Sequence, residues 1–429
     1  MDQEQIQSVQ GTEDLLPGQW ALWTKLYGTA RRLFERYGYG EIRTPVFEDT
    51  RLFVKGTGET TEIVEKQMYS IPTGEDESIT LRPEGTPPVI RSYLEQGLHK
   101  QRPFQKLYYV GPMFRRERPQ KGRLRQFHQL GVEAIGSSNP LLDAETIVLA
   151  VAVFHELGLS DFEVRLNTIG CAECRGRLRA EMRRALEPRL SELCDDCRRR
   201  IDRNVFRVLD CNNEGCRAIV AELPTVAAGV CSECAEHYSR VKAALDAAGV
   251  EYAEDPFLVR GLDYYTRTVY EVRHRGIGAR DAICGGGRYD GLVELLGGPP
   301  TPSLGFAIGA ESTILAMESE QGGAPDEDAR VQAFVVCFED EARQSCFELL
   351  HELRAAGVSA DMDYEGRSAK AQMRTANRLG AKICLLVGRD ELEQGTVTVR
   401  DMTESEQRTV PRAEAVAAAR CRVEPNPTT

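Results

Sequence analysis

The chain has 429 residues, too many for one hydrophobic core, and its composition (41% hydrophobic, 28% charged) is that of an ordered globular protein. With 66 acidic against 54 basic residues its formal charge is −12, which argues against bulk non-specific nucleic-acid binding and leaves any polyanion contact to local patches. The opening MDQEQIQSVQGTEDLLPG lacks a cationic head and apolar stretch, and the longest apolar run, TIVLAVAVFHELGL, is short and broken by His155 and Glu156, so a cytoplasmic protein with no membrane partner is expected.

Residues 20–37 carry apolar side chains at helical spacing (Trp20, Leu22, Trp23, Leu26, Tyr27, Ala30, Leu33, Phe34, Tyr37), and Gly38 ends the helix. GEIRTPVFED follows as a short strand whose Pro45 belongs at an edge, a bulge or a contact with a second chain. SITLRPEGT reads as a strand and turn, and TPPVIRSYLEQGL as a helix opened by prolines. FQKLYYVGPMFRRE and LRQFHQLGVEAIG are two strands joined by the basic loop RPQKGR. A helix over 141–158 precedes the strand DFEVRLNTIG. Strands outnumber connecting helices, so an antiparallel sheet is expected.

Residues 171–250 break this rhythm and read as an inserted module. Strand-like stretches return at 258–272 and 280–284, ahead of GGGRYDGLVELLGG, which can be a tight turn leading into a helix. The acidic, Gly- and Pro-containing segment 318–329 reads as a linker. Beyond it, VQAFVVCF, a helix over 340–356, VSADMDY, a helix over 367–379, KICLLVG and TVTVRDM describe a compact α/β domain with a mostly parallel sheet.

Two stretches carry candidate chemistry in the first part of the chain. Between Arg115 and Arg125 six of eleven residues are cationic and one is acidic, a knot suited to a highly charged anion. In RQFHQLGVE, strand alternation puts Leu130 and Val132 on one face and Gln129, Gly131 and Glu133 on the other. That second face is either half-solvated or a polar floor where a small ligand lies on Gly131. No Walker A sequence is present, nor a G-x-G-x-x-G after a strand, so nucleotide binding here would not use a Gly-rich loop.

Eight of the thirteen cysteines fall between Cys171 and Cys234. They form four pairs: Cys171/Cys174, Cys194/Cys197, Cys211/Cys216 and Cys231/Cys234. Two such pairs close one tetrahedral thiolate site, so up to two structural Zn2+ sites are expected, with the combination of pairs left open and reduced thiols as the alternative. From Cys171 to Arg217 twelve arginines face nine acidic residues, which suggests that the module leans on the acceptor arm of a tRNA. In the last domain Arg367, Lys370, Arg374 and Arg378 recur at helical spacing as a basic stripe.

FRRERPQKGRLRQFHQLGVE resembles the second signature motif of class II aminoacyl-tRNA synthetases. LVRGLDYYTRTVYEV (258–272) and GGGRYDGL (285–292) resemble the two signatures peculiar to histidyl-tRNA synthetases, and GTEDLLP, GYGEIRTPVFED and LRPEGT are similar to that family too. The resemblance covers nearly the whole chain. It implies an α+β catalytic domain over 1–325, an antiparallel sheet flanked by helices and interrupted by the module at 171–250, followed by an α/β anticodon-binding domain over 331–429. It also implies a homodimer that activates L-histidine with ATP and Mg2+ as substrate, then charges histidine tRNA.

By matching position, the resemblance assigns Arg115 to the α-phosphate, Arg123 to the outer phosphates and Arg260 to the reacting phosphate. Glu84, Thr86 and Gln129 would receive the α-ammonium group, Glu133 and Tyr265 the imidazole nitrogens, and Tyr264 would line the pocket. Each has a plainer reading: the tyrosines as strand aromatics, Arg260 as an ion-pair partner of Asp263. The third class II motif usually ends Gly-x-Glu-Arg-Leu, whereas GFAIGAESTIL places Ser312 at the arginine, a lost contact worth roughly 1.5–3 kcal/mol of ATP binding. The alternative is a non-catalytic regulatory paralogue of ATP phosphoribosyltransferase in histidine biosynthesis. Such proteins typically lose active-site residues and the C-terminal domain, and both are kept here.

Overall fold

The computed structural model describes residues 5–59, 61–118, 123–209, 211, 213–223, 225–278, 281–321, 331–404 and 406–423. The tip of the basic loop (119–122) and most of the expected linker (322–329) lie outside the described residues. The chain forms two compact units, Met1–Ala324 and Pro325–Thr429. No helix among the described residues is long and apolar enough to cross a membrane.

In chain order the strands of the first unit are β1 (Gly40–Glu41), β2 (Phe47–Asp49), β3 (Tyr69–Pro72), β4 (Ser78–Leu81), β5 (Gln105–Phe114), β6 (Gln126–Ile135), β7 (Phe162–Thr168), β8 (Ala253–Glu254), β9 (Thr266–His274), β10 (Ala282–Arg288) and β11 (Ser303–Gly309). Eight of them make one sheet in the order β1-β5-β6-β11-β10-β9-β7-β8. Its six inner strands are antiparallel, and β1 and β8 add in parallel at the two edges. Pro45 divides the expected first strand into β1 and β2; the latter joins a separate three-stranded sheet with β4 and β3, as a residue without an N–H must interrupt a ladder.

Helices cover one face of the large sheet. The helix Trp20–Arg36 turns Leu22, Trp23, Leu26, Leu33 and Phe34 inward. The helix Pro140–Leu157 is opened by Asn139, whose side chain accepts from the Leu141 N–H, and stopped by Gly158 in the left-handed region (φ 88°). Their side chains join Leu130, Val132 and Ala134 of β6 in one core. A second core lies on the other face: Tyr109, Met113, Tyr264, Tyr265 and Tyr289 pack into the same cluster as the apolar side chains of the inserted module from Cys174 to Cys234, while Tyr238, Val241 and Leu245 of its last helix join the first core. Both faces of β6 are therefore covered, and the half-solvated reading of its polar face does not hold.

Two expected elements differ. Residues 258–265 form no strand; β9 begins only at Thr266, because Gly261, Leu262 and Asp263 turn the chain. GGGR is no turn but the body of β10.

The second unit has β12 (Ala333–Cys337), β13 (Ala360–Met362), β14 (Ile383–Val387), β15 (Thr396–Asp401) and β16 (Gln407–Pro411) in the order β13-β12-β14-β15-β16. The first three strands are parallel, and β15 and β16 add antiparallel, so the sheet is half antiparallel rather than mostly parallel.

Candidate active site

Cross-strand register explains how the polar face of β6 is furnished. Gln129 stands opposite Gly111 and Gly309, Gly131 opposite Tyr109 and Ala307, and Glu133 opposite Leu107 and Gly305. Gly305 leaves room for the carboxylate: a β-carbon there would fall 2.0 Å from Glu133 Oε2. The gap over Gly131 is not open to a ligand. The Tyr109 ring fills it, wedged between Gly131 and Gly85 so closely that a β-carbon on either would stand 2.3 or 2.2 Å from its Cζ. The glycine thus admits a neighbouring side chain, which alternation along a single strand does not reveal.

Around that ring lie two buried carboxylates. Glu84 accepts hydrogen bonds from Thr57 Oγ1 (2.6 Å) and from the Tyr264 hydroxyl (2.8 Å). Glu133 accepts from Thr86 Oγ1 (2.7 Å) and from the Tyr289 hydroxyl. The Tyr264 ring centroid is 4.8 Å from Tyr265 and 5.5 Å from Tyr289. Burial pushes the Glu133 carboxyl up to about 8, and the Glu84 charge adds to this against the donated bonds from Tyr289 and Thr86. Burial also raises Glu84, opposed by Thr57, Tyr264 and the Arg115 charge. The phenols are held up by burial, Tyr265 at about 12 and Tyr264 and Tyr289 well above the ordinary phenol value, so they stay protonated donors. Such a pair disfavours its own ionisation and favours a ligand that brings cationic or N–H donor groups.

Next to this cluster opens a cleft of about 190 Å³, lined among others by Arg115, Arg123, Gln129, Arg260, Gly285, Glu311 and Ser312. Glu84, Thr86, Glu133, Tyr264 and Tyr265 are not among its lining residues; the expected residues form two adjoining groups rather than one cavity wall. Arg115 Nε donates to the Pro83 carbonyl (2.9 Å), with its guanidinium 5.0 Å from the Phe127 ring centroid. Arg123 is set against Glu117. Arg260 pairs with Glu271, not with Asp263. Burial works against its charge, but Glu271 together with Tyr265, Cys284 and Tyr264 outweighs this and raises the guanidinium above its ordinary value. Arg260 Nε and Gln129 Oε1 are buried with no hydrogen-bond partner, so both keep bonding capacity at the cleft. Arg288, by contrast, is buried and structural, tied to Asp143, Asp290 and the Ser137 carbonyl.

Residues not anticipated from sequence complete the site. Thr57 and Tyr289 orient the carboxylates, and Glu311 is fixed by the His128 N–H (2.9 Å) and ring Nδ1 (2.9 Å). Tyr289 lies within GGGRYDGL and was readable there; Thr57 carries no signal of its own.

The cysteines resolve into two sets. Cys171, Cys174, Cys231 and Cys234 form one, and Cys194, Cys197, Cys211 and Cys216 the other, with the sulfurs of each set all within 4.8 Å of one another. None is in a disulfide. Backbone N–H groups of Cys197 and Cys234 lower the Cys194 and Cys231 thiols to about 7. Several of the module's arginines pair with acids of the module itself: Arg183 with Asp202 (2.6 Å), Arg189 with Glu192 (3.0 Å) and Arg199 with Asp196 (2.5 Å). In the second unit Arg367 precedes the helix Ala369–Arg378 and is tied to Asp363, which leaves Lys370, Arg374 and Arg378 as its exposed basic face.

The sequence model of the family described as Histidyl-tRNA synthetase matches residues 11–312, and that of the Anticodon binding domain matches 332–422. This chain belongs to the histidyl-tRNA synthetase family. Among its relatives, the histidine–tRNA ligase of Moorella thermoacetica is 49% identical over 95% of this chain and 96% of that one. That of Desulforudis audaxviator is 49% identical over 97% and 98%. The apo histidyl-tRNA synthetase of S. aureus superimposes with a TM-score of 0.81 at 37% identity, covering 96% of this chain and 99% of that one. The fold of these synthetases, a class II catalytic domain followed by an anticodon-binding domain, is the one described above.

Proposed function

We propose that this chain ligates L-histidine to its tRNA, in two steps at one site. The histidine carboxylate oxygen attacks the α-phosphorus of Mg2+-bound ATP, the bond to the bridging oxygen breaks, and pyrophosphate leaves with that electron pair. A ribose hydroxyl of the tRNA then attacks the adenylate carbonyl, and AMP leaves. The observation that carries this reading is the convergence of Arg115, Arg123 and Arg260 on one cleft beside the buried Glu84–Glu133 pair.

Charge stabilisation does most of the work in such a displacement. Arg115, steadied by the Pro83 carbonyl and Phe127, holds the α-phosphate, and Arg123 reaches the outer phosphates. Arg260, held in place by Glu271, offsets charge at the phosphorus. Glu84, Thr86 and Gln129 take the ammonium group, and the unpartnered Gln129 oxygen suits an N–H donor. Glu133 and Tyr265 take the two imidazole nitrogens, while Tyr264 orients Glu84. A pocket that pairs both ring nitrogens rejects amino acids that lack them, because its own buried groups would go unpaired.

The same reading covers the rest of the molecule. The exposed cations of the 369–378 helix contact the tRNA backbone near the anticodon, the chain acts as a cytoplasmic homodimer, and the eight module cysteines hold structural zinc. Ser312 is the single feature that favours a non-catalytic regulatory subunit of ATP phosphoribosyltransferase, and the complete arginine and carboxylate set outweighs it. Incubation with ATP, Mg2+, labelled histidine and unfractionated tRNA tests the proposal. Acid-precipitable histidine that requires all components is expected; its absence in folded protein would overturn it.

A further inference from the structure

Among the described residues, two polar side chains of the inserted module hydrogen-bond the turn that carries Tyr264, and each comes from a helix that starts at a cysteine cluster. The first cluster joins the beginning of the module (Cys171, Cys174) to its end (Cys231, Cys234), so it closes the neck; the second (Cys194, Cys197, Cys211, Cys216) closes its middle. Zinc–thiolate bonds of about 2.3 Å in a tetrahedron put neighbouring sulfurs about 3.8 Å apart. The Cys171–Cys174 and Cys194–Cys211 sulfurs are 3.6 and 3.8 Å apart. Peptide N–H groups donate across the pairs, Cys171 to Cys234 Sγ (3.2 Å), Cys231 to Cys174 Sγ (3.1 Å) and Cys194 to Cys216 Sγ (3.2 Å), which ties the two halves of each set together. Cys171, Cys194 and Cys231 each immediately precede a helix, whose N-terminal dipole favours thiolate.

One residue beyond Cys174, Arg175 Nη1 donates to the backbone carbonyls of Asp263 (2.8 Å) and Tyr265 (2.9 Å), bracketing Tyr264. At the far end of the helix that starts after Cys194, Asn204 Nδ2 donates to Asp263 Oδ1 (2.6 Å). The Asp263 carboxylate in turn packs on Gly58, next to the Thr57 that donates to Glu84. Both clusters therefore end, by separate routes, on the turn that aims Tyr264 at Glu84.

We propose that the module is a two-zinc clamp on the histidine pocket, in which Arg175 and Asn204 are positioning residues that hold the Gly261–Tyr265 turn in register with Glu84. The clamp rests on the reading of the pocket and of zinc given above. Each metal is bound by four thiolates with no open position, so it supplies stiffness and no chemistry. A shift of the turn moves Tyr264 and Tyr265 relative to the carboxylates, whereas Arg260, one residue before the turn, keeps its own anchors on Glu271 and against Gly285, and Arg115 its anchor on the Pro83 carbonyl. The effect falls on histidine and spares ATP.

The test uses the full chain purified without chelator, with zinc measured per chain and ATP–pyrophosphate exchange followed for the wild type, Arg175→Met, Arg175→Lys and Asn204→Ala. Close to two zinc ions per chain are expected in all four. Arg175→Met should raise the histidine KM about tenfold while the ATP KM and kcat stay within about twofold, with partial recovery in Arg175→Lys. Asn204→Ala should raise it about threefold, and decides the matter if Arg175→Met fails to fold. Full zinc with an unchanged histidine KM would overturn the clamp but not the metal sites. A wild-type chain that exchanges normally while holding no zinc would overturn the metal sites themselves, and a zinc-replete wild type with no histidine-dependent exchange would overturn the pocket reading.

Discussion

Arg260 lies across Gly285 so closely that a β-carbon there would stand 2.0 Å from its Nη2. The glycine run of β10 is thus a seat for a cation, which pairs with Glu271, the residue opposite Gly285 on β9. Gly285→Ala must displace that guanidinium or push the strand. We expect kcat for ATP–pyrophosphate exchange to fall about 100-fold, with the thermal midpoint little changed. Exchange at the wild-type rate in Gly285→Ala would remove Arg260 from the reaction.

Glu133 gives a pH signature. Its carboxyl is raised from an ordinary 4.5 to about 8 by burial. Between those values the folded chain keeps a proton that the unfolded chain has released, so this group's contribution to stability is lost as pH rises through the window. Glu133→Gln carries no such charge. The difference in thermal midpoint, variant minus wild type, should therefore become more positive from about pH 5 to about pH 8.5; a difference flat across that range contradicts the burial argument.

What the sequence showed about this site depended on how local the information was. Alternation along β6 correctly grouped Gln129, Gly131 and Glu133 on one face, because that period is a property of a single strand. It could not show Tyr109 arriving from β5 to fill the space over Gly131, which is set by register between strands. Residues 258–265 resembled a strand through their valine and tyrosines, yet Asp263 there anchors a turn on Gly58 and Asn204. The arrangement of eight cysteines into two sets needed the fold, since spacing defines pairs and not their combination. The arginine cleft was legible as a set of residues through family resemblance, whereas its separation from the carboxylate cluster was not.

Ser312 lines the cleft where the third class II motif usually carries arginine. Restoring that charge by Ser312→Arg should lower the ATP KM about tenfold and leave the histidine KM unchanged, since one charge-assisted contact is worth roughly 1.5–3 kcal/mol. An unchanged or higher ATP KM would mean that the remaining arginines already saturate the phosphates.

The basic helix of the second unit yields a tRNA-specific prediction. Lys370, Arg374 and Arg378 are exposed, while Arg367 is occupied by Asp363. Changing the three exposed cations to Gln should raise the tRNA KM in aminoacylation about tenfold at low salt, with the difference from wild type shrinking as salt rises, without altering pyrophosphate exchange. Loss of exchange with intact tRNA affinity would refute the assignment.

The central claim is that the arginine cleft and the buried carboxylate pair together activate histidine. ATP–pyrophosphate exchange by the purified protein, run with each of the twenty amino acids in turn, tests it most directly. The account predicts exchange with histidine alone. No exchange with any amino acid, in folded protein supplied with Mg2+, would contradict it and leave the regulatory paralogue as the better description.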